Sequence, residues 1–431
     1  MRLLKYLKND MNLELLCFFF FVLAFTLNNP LDTFNGFYKI FTSSSILLTD
    51  YVFVGGIGAA FLNVAINLLF NIILIKILKI EVSGPIFAGM MMIVGFSFFG
   101  KNIFNGLPIY LGVWLFSKMK KKPFQNYIIT LLFSSGLSPI VSYSIFGFGL
   151  PYYFSIPLGI IVGIIVGILI PQFAAHTISF HQGYNLYNTG FALGIISCVF
   201  YGLFLLCGLN VEAVKEYDST NYWVFYYILG TFILGCVIQA NILDHNVWKK
   251  YYSLLKSSGR LITDYIKDYG KEVVWINYAI NGIFLFSLLL IFQIPINGII
   301  FGSIIAVLGC SGFGLHIKNY LPVFVGTVLA FVVRMAVRGS FYIDMNLDLS
   351  IIVAIIFATG LAPICGKYGI FYGVLVGFIH IAVIPLMINL QGGFDLYNNG
   401  LSCGFEAAII QVMAENVFGK ERRHAKRSKN L

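Results

Sequence analysis

The chain has 431 residues, of which 59% are hydrophobic and 11% are charged, and its mean hydropathy is +0.87. Globular proteins average about 45–50% apolar and about 25% charged residues, and a soluble chain of this length cannot hide so large an apolar excess. A soluble fold is therefore excluded, and the bilayer is the expected solvent. Apolar stretches of roughly 20 residues predict an all-α, polytopic transmembrane helix bundle, because the strands of a membrane barrel are shorter and alternate in polarity.

The net charge of +10 reflects short basic runs between apolar segments, such as residues 118–122 and 420–430. Runs of this kind mark cytoplasmic loops, so nucleic acid is not expected as a partner. The seven cysteines form no CxxC pair and show no metal-ligand spacing, so no disulfide, metal or cofactor is expected. Frequent Phe, Ile, Lys and Asn residues are typical of an AT-rich bacterium, and the predicted location is its cytoplasmic membrane.

About fourteen apolar segments follow one another along the chain. They lie near residues 14–28, 52–75, 84–99, 106–117, 127–145, 153–175, 184–207, 222–242, 273–293, 297–313, 320–333, 349–364, 368–388 and 396–415. With a cytoplasmic N-terminus, the cytoplasmic loops and tails hold 23 of the 28 Lys and Arg residues, which predicts that both termini are cytoplasmic. The third and fourth segments are short, as are their later counterparts, so each pair is either two crossings or one re-entrant hairpin.

The second half of the chain repeats the first. With an offset of 214, residues 63–115 align without a gap with residues 277–329, and 21 of the 53 positions are identical. The match resumes in two motifs, SSGLSPI (134–140) with ATGLAPI (358–364) and GYNLYNTG (183–190) with GFDLYNNG (393–400). One span near 222–242 separates two sets of six segments, so the second set enters the membrane from the opposite side. The sequence thus predicts two inverted-topology repeats.

This pattern divides the chain into five parts. They are an N-terminal cytoplasmic tail with the first span and an external loop (1–51), repeat 1 (52–208), a linking span and cytoplasmic loop (209–272), repeat 2 (273–415) and a basic cytoplasmic tail (416–431). Inverted repeats are typical of secondary transporters and some solute channels, because two such halves can exchange conformations around a central site.

Polar residues recur at equivalent depths in both repeats, where apolar spans do not need them. The candidate substrate-binding residues are Asn185, Tyr187, Asn188, Asp395, Tyr397, Asn398, Ser97, Ser311, Ser135 and Thr359. The glycine-flanked motifs permit an unwound backbone that exposes carbonyl groups and a helix N-terminus. The alternative is that these residues are helix caps and packing contacts, with the tyrosines in an aromatic belt.

The paired GLSP and GLAP elements predict helix breaks within the membrane at Gly136, Pro139, Gly360 and Pro363. Proline removes a backbone donor, so the freed carbonyl groups are expected either to face a cavity or to mark simple kinks. Ser97 and Ser311 stand near two hairpin ends that also carry Lys101 and His316, and these ends are expected to be solvated.

Glu406 lies in the middle of the last span, where a carboxylate is costly and indicates function by default. It is the candidate for ion or proton coupling, together with Asp395, and the alternative is a structural pairing with a Lys or Arg. His380 and His176 are lone histidines, which are expected to be hydrogen-bonded core residues rather than ligands or proton relays.

The duplicated Leu-Tyr-Asn motifs at 186–188 and 396–398, with the GLSP and GLAP elements, resemble an uncharacterised bacterial family of polytopic membrane proteins. This family is the domain of unknown function 1576, in which the domain occurs twice. The resemblance implies a match over nearly the whole chain and supplies no substrate or catalytic residue. A looser likeness is to urea transporters, which have two inverted halves with Gly-Tyr-Asn turns; here GYN stands at 183–185 and GFD at 393–395.

The leading hypothesis is a transporter or channel for a small polar solute, with a central site between the repeats and no covalent chemistry. Few buried charges favour a neutral or small zwitterionic solute, and cation coupling follows if Glu406 and Asp395 face the cavity. One alternative is an intramembrane enzyme acting on a lipid or cell-wall precursor, although HExxH and P-loop motifs are absent from the sequence. Another is a non-transporting scaffold or sensor. The expected partners are the lipid bilayer and the solute, and a homo-oligomer is left open.

Overall fold

A computed structural model describes residues 12–212 and 214–428, with side chains described up to residue 416. The first eleven residues of the predicted N-terminal tail lie outside the described residues. The side chains of the predicted basic tail beyond residue 416 also lie outside them.

Twenty α-helices form the described chain, and each helix of the first half has a counterpart in the second. The first ten are α1 (Leu13–Thr26), α2 (Pro30–Thr42), α3 (Tyr51–Gly55), α4 (Ile57–Ile77), α5 (Gly84–Phe96), α6 (Ile103–Met119), α7 (Ile128–Ser134), α8 (Pro139–Phe146), α9 (Tyr152–Phe180) and α10 (Asn188–Leu206). Their counterparts, in the same order, are α11 (Trp223–Leu243), α12 (Val247–Leu254), α13 (Tyr265–Tyr269), α14 (Lys271–Ile291), α15 (Gly298–Gly309), α16 (Ile317–Arg338), α17 (Met345–Phe357), α18 (Ala362–Tyr368), α19 (Ile370–Leu390) and α20 (Asn398–Ser428).

The molecule is a multi-pass helical membrane protein. Within the described residues, nine helical segments are long and apolar enough to cross a bilayer, or ten if α1 and α2, bent by 112°, form one span. The expected count of about fourteen is not confirmed. One reason is that α5 and α15 have only 13 and 12 residues, which at 1.5 Å per residue span about 20 Å of a hydrocarbon core roughly 30 Å thick.

Hydrogen bonds between the two halves come in reciprocal pairs. The Leu47 N–H donates to the Gly393 carbonyl oxygen (3.1 Å). The equivalent bond, from the Leu261 N–H to the Gly183 carbonyl oxygen, is 2.9 Å long. Reciprocal contacts between equivalent positions are the signature of a two-fold relation, so a pseudo-two-fold axis relates the halves.

Two aspartates form a second reciprocal pair. Asp50, before α3, accepts the N–H of Gly298 at the start of α15 (2.9 Å). Its counterpart Asp264 accepts the N–H of Gly84 at the start of α5 (3.0 Å). Each aspartate therefore caps a short helix of the opposite repeat, where a carboxylate also interacts favourably with the positive helix end.

The short helices α5 and α15 pack directly against each other. A Cβ added to Gly95 would lie 2.3 Å from the Gly302 carbonyl oxygen, and one added to Gly309 would lie 3.0 Å from the Ala88 carbonyl oxygen. The end of each helix thus meets the beginning of the other, so the two run antiparallel, as expected for inverted repeats. Only glycine permits this approach at Gly95.

The turns after α5 and α15 interrupt the apolar segments within the protein interior. In the first turn, Asn63 Nδ2 donates to the carbonyl oxygens of Ser97 (2.7 Å) and Lys101 (2.8 Å). Asn277 makes the two equivalent bonds in the second turn (2.8 and 2.7 Å). These duplicated asparagines therefore satisfy backbone groups that the break leaves without helical partners.

Candidate functional site

The loops after α9 and α19 reach across the axis to the interrupted spans of the opposite repeats. The Leu186 N–H donates to the Gly360 carbonyl oxygen (2.9 Å), and the Leu396 N–H donates to the Gly136 carbonyl oxygen (2.9 Å). Each loop therefore closes a helix break in the other repeat.

Tyr187 and Tyr397 lie side by side at the axis, with 6.3 Å between their ring centroids, and each is 1% exposed. The aromatic-belt alternative for these tyrosines is therefore wrong. The Tyr187 hydroxyl is 2.7 Å from Thr359 Oγ1. The Tyr397 hydroxyl has no hydrogen-bond partner among the described residues. Ser135, the counterpart of Thr359, donates to the Leu132 carbonyl oxygen, as Thr359 does to the Ile356 carbonyl oxygen.

We call this group the axis cluster. Its members are Tyr187, Tyr397, Ser135, Thr359, Gly136 and Gly360. All four polar side chains are at most 1% exposed, so the cluster is closed to solvent.

Asn185 and Asp395 stabilise the loops that carry the two tyrosines. Their Oδ1 atoms accept the N–H groups of Tyr187 and Tyr397, each at 2.9 Å. Asn185 Nδ2 also donates to the Gly400 carbonyl oxygen (3.0 Å). An aspartate cannot make the equivalent bond as a carboxylate, and Asp395 Oδ2 is buried without a partner in the described structure.

Asn188 and Asn398 lie at the starts of α10 and α20 and bind their own repeats. Asn188 Oδ1 accepts from the Thr177 hydroxyl and lies 2.9 Å from His181 Nε2, which joins α9 to α10. Asn398 Oδ1 accepts a longer bond of 3.5 Å from Gln391 Nε2. These contacts fit the alternative of caps and packing better than a central site.

Ser97 and Ser311 also form hydrogen bonds within their own repeats. The Ser97 hydroxyl donates to the Ile93 carbonyl oxygen (2.7 Å), one helical turn earlier. Ser311 Oγ accepts from Asn281 Nδ2 (2.8 Å). Both hydroxyls lie in the turns after the short helices rather than in the axis cluster.

The predicted breaks take the form of single 3₁₀ turns, Ser135–Leu137 and Ala358–Leu361. Pro139 starts α8, and Pro363 is the second residue of α18, where a missing N–H costs no helical bond. Each span continues beyond its turn, so the breaks interrupt the hydrogen bonding and do not end the span.

Gly136 and Gly360 allow the tyrosines of the opposite repeats to pack on these turns. A Cβ at Gly136 would lie 2.2 Å from the Tyr397 ring, and a Cβ at Gly360 would lie 2.4 Å from the Tyr187 ring. The carbonyl groups of both glycines accept the cross-repeat bonds described above, so they do not face an open cavity.

Glu406 forms a buried ion pair with His380, and both side chains are at most 2% exposed. His380 Nδ1 lies 2.9 Å from Glu406 Oε2, and His380 Nε2 lies 3.1 Å from Asn399 Oδ1. Both ring nitrogens face acceptors, so the geometry is that of a doubly protonated imidazolium. The partner of Glu406 is therefore a histidine rather than the Lys or Arg of the structural alternative.

A thiol completes this group, which we call the His380 cluster. Its members are His380, Asn399, Ser402, Cys403 and Glu406. Ligand atoms of His380, Cys403 and Glu406 lie within 4.8 Å of one another, and this donor set would suit a zinc-like ion only with a neutral imidazole ring. A Cys–His–acid relay needs one ring nitrogen for each partner, but Nδ1 faces both Glu406 and the Cys403 sulfur at 4.0 Å.

Lys101 and His316, expected at solvated hairpin ends, are each only 1% exposed, so that expectation is wrong. The turns that carry them fold inward and are covered by neighbouring helices. Sequence reasoning gave these two residues little weight because each follows an apolar run, which is where a loop is expected.

Two cavities lie outside the axis cluster. One of about 820 Å³ is lined mainly by apolar side chains such as Leu288, Phe331 and Ile355. Another of about 1020 Å³ is lined by Lys76, Lys267 and other residues near the start of α5. Neither is bordered by an axis-cluster residue, which agrees with a closed centre.

The structure is thus a polytopic helical membrane protein with two repeats that interlock at a closed polar axis. The chain belongs to the family described as "Protein of unknown function (DUF1576)", which matches residues 29–206 and again residues 243–416. The double match agrees with the duplicated domain. Searches of the curated proteins and of the solved structures find no significant match, and the likeness to urea transporters is not shown.

Proposed function

We propose that the protein transports a small polar solute through the axis cluster, by exchange of conformation between its two repeats. The observation that carries this proposal is the Tyr397 hydroxyl, which is buried at the axis and has no partner within the described part of the chain. An unsatisfied hydroxyl in a membrane interior costs free energy, and a polar solute bound between the repeats would supply the missing partner. Asp395 Oδ2, also buried and unpaired, adds a second such group.

The interlocked breaks support a carrier rather than a fixed pore. Each break is closed by a single backbone hydrogen bond from the opposite repeat, and the two bonds are related by the pseudo-two-fold axis. Exchange of the two conformations between equivalent repeats would open the centre alternately to either side, as in other transporters with inverted repeats.

The test is solute flux in liposomes that contain the purified full-length protein. A panel of polyols, amides, amino acids and monocarboxylates would be screened by light-scattering shrinkage and by solid-supported membrane currents. We expect saturable flux of one class, lowered at least about tenfold by Tyr397→Phe. The matched control is Tyr320→Phe, because the Tyr320 hydroxyl is also buried and unpaired but lies on α16. Rates equal to those of empty liposomes for every class would contradict transport.

We propose that the His380 cluster couples this transport to a proton or another cation, with Asp395 as a second candidate. The ion pair lies within the membrane helices α19 and α20, where an ionisable pair indicates function. The test uses pyranine-loaded liposomes to follow protons during solute uptake. The double variant of His380→Ile with Glu406→Ile is expected to keep solute binding and lose proton movement; unchanged proton movement would contradict the assignment.

We also propose a bacterial cytoplasmic membrane location with both termini inside, because the basic loops fall on one predicted side. Accessibility tags in the loops at 118–122 and 334–348 test the inverted topology. We expect the first tag inside and the second outside. Labelling of both from the same side would contradict the inverted arrangement.

The geometry supports the alternative of an intramembrane enzyme less well than it supports a transporter. The thiol and the carboxylate of the His380 cluster share one ring nitrogen, so the imidazole cannot relay a proton between them. Both groups are also closed to solvent.

A further inference from the structure

Lys101 is buried without a counter-ion among the described residues, and burial lowers the pKa of its amine to about 7. The residue is 1% exposed, and Nζ makes no hydrogen bond or ion pair within the described part of the chain. Its one contact with a ring is to Tyr110, 5.2 Å from Nζ to the ring centroid. A cation–π contact recovers only part of the hydration that an ammonium loses on burial.

One other unsatisfied polar group, the Ser138 hydroxyl, lies near the Lys101 amine. A Cβ placed on Gly106 would lie 3.1 Å from Lys101 Nζ and 3.8 Å from Ser138 Oγ, so both groups converge on the small space above Gly106. The Ser138 hydroxyl is buried and has no partner in the described structure.

The second repeat shows that the scaffold does not need these polar groups. We call the group in repeat 1 the Lys101 pocket. Its polar residues and their counterparts are Asn71 and Leu285, Lys101 and Leu315, Tyr110 and Phe324, and Ser138 and Ala362. Repeat 2 builds the same helices with apolar side chains at all four positions. Polarity in repeat 1 therefore requires an explanation other than folding.

The start of α6 adds further positive potential. This helix of 17 residues begins at Ile103, two residues after Lys101, and its N-terminal end carries a partial positive charge. No carboxylate of the described residues pairs with Lys101 to balance this field. An anion bound here would pair with protonated Lys101 and would also interact favourably with the positive helix end.

We propose that the Lys101 pocket binds a small monocarboxylate anion, and that this anion is the transported solute. The second part rests on the proposed function, whereas binding does not. A single ammonium matches a single negative charge, and the Ser138 hydroxyl can donate a second hydrogen bond to the same carboxylate. A dicarboxylate would leave one charge unpaired in the membrane.

The experiment measures binding of radiolabelled lactate to the full-length protein in detergent, with competition by acetate and glycolate. Lactamide, which has the same shape without the charge, is expected to compete at least about tenfold more weakly, because a charge-assisted hydrogen bond is stronger than a neutral one. Lys101→Leu is expected to weaken lactate binding at least about tenfold. Leu315→Met, at the equivalent position of repeat 2, is the matched control and should bind as the parent protein does.

A second variant tests the proposal independently, in case Lys101→Leu does not fold. Gly106→Ala keeps the ammonium but places a methyl group 3.1 Å from Nζ, so it should weaken lactate binding while the melting temperature is retained. The proposal is overturned if lactate, acetate and glycolate all fail to bind, if lactamide or chloride competes as well as lactate, or if Lys101→Leu binds normally. Lactate binding without flux would overturn the proposed function and the second part of this proposal, whereas anion binding in the Lys101 pocket would stand. Neutral-solute flux that survives Lys101→Leu would overturn only this inference.

Discussion

The two repeats build one scaffold, yet each places ionisable groups where the other has aliphatic side chains. Repeat 1 has Lys101 where repeat 2 has Leu315, and repeat 2 has His380 and Glu406 where repeat 1 has Ile170 and Ile196. Each repeat is therefore a control for the other. Because the aliphatic version folds in one half, packing does not require the ionisable version in the other half. The charged positions are the ones that distinguish function from scaffold.

Some polar residues are identical in the two repeats and stabilise the backbone of both. Asn63 and Asn277 make equivalent bonds to the turns after α5 and α15, and Asp50 and Asp264 cap equivalent helices. Such residues are retained in both halves because the backbone of both halves needs them. Identity at these four positions thus marks structure.

The largest effect is expected from breaking the ion pair of the His380 cluster. Glu406→Gln removes the charge that balances the imidazolium and should lower the free energy of unfolding by about 3–5 kcal/mol, the usual result of removing one partner of a buried pair. Denaturant unfolding in micelles measures the loss.

The comparison of the repeats supplies the control for this prediction. His380→Ile combined with Glu406→Ile gives repeat 2 the residues that repeat 1 has at these positions, Ile170 and Ile196. We expect the double variant to regain most of the stability that the single change loses. A double variant as unstable as Glu406→Gln would mean that the pair is required by the fold of repeat 2.

Much of the fold follows from the sequence. Hydrophobic runs predict the helices, and the alignment of 63–115 with 277–329 predicts the duplication. The helices α1 and α11 share little sequence, although each precedes its repeat in the equivalent place. Lipid-facing helices need only be apolar, so their sequences diverge freely.

The candidate site was less predictable. The sequence indicated Tyr187, Tyr397 and Glu406, but it could not indicate that His380 is the partner of Glu406, because the contact joins two helices 26 residues apart in sequence. Lys101 was assigned to a solvated turn, since burial of a turn depends on what packs over it. Such contacts are set by tertiary packing, which hydropathy alone does not report.

An intermediate effect on stability is expected from pH, through the helix cap that differs between the repeats. At the start of α16, His316 Nδ1 accepts the Asn319 N–H (3.2 Å), and Nε2 lies 3.0 Å from the Ser257 carbonyl oxygen. This geometry requires a neutral imidazole, and burial lowers the pKa of His316 to about 4. An unfolded histidine has a pKa near 6.5, so stability is full above that pH and falls as the pH decreases toward about 4.

The expected loss between pH 7.5 and pH 5 is about 2 kcal/mol for this group. His316→Asn installs the residue that repeat 1 uses, since Asn102 accepts the Asn105 N–H at 3.0 Å without titrating. Melting temperatures at the two pH values measure the difference, which should shrink in His316→Asn. His245→Asn, in an exposed loop, is the control that should keep the full difference. An unchanged pH dependence in His316→Asn would contradict a neutral buried cap.

The smallest effect on stability separates the two tyrosines of the axis cluster. Tyr187→Phe removes the hydrogen bond to Thr359 and should cost about 1 kcal/mol, the usual net value of such a bond. Tyr397→Phe removes a hydroxyl that has no partner in the described structure, so stability should be equal or slightly higher. Denaturant midpoints of the two variants, measured in parallel, test this expected difference in stability. Equal losses in both variants would mean that Tyr397 has a protein partner, and its hydroxyl would then not be available to a solute.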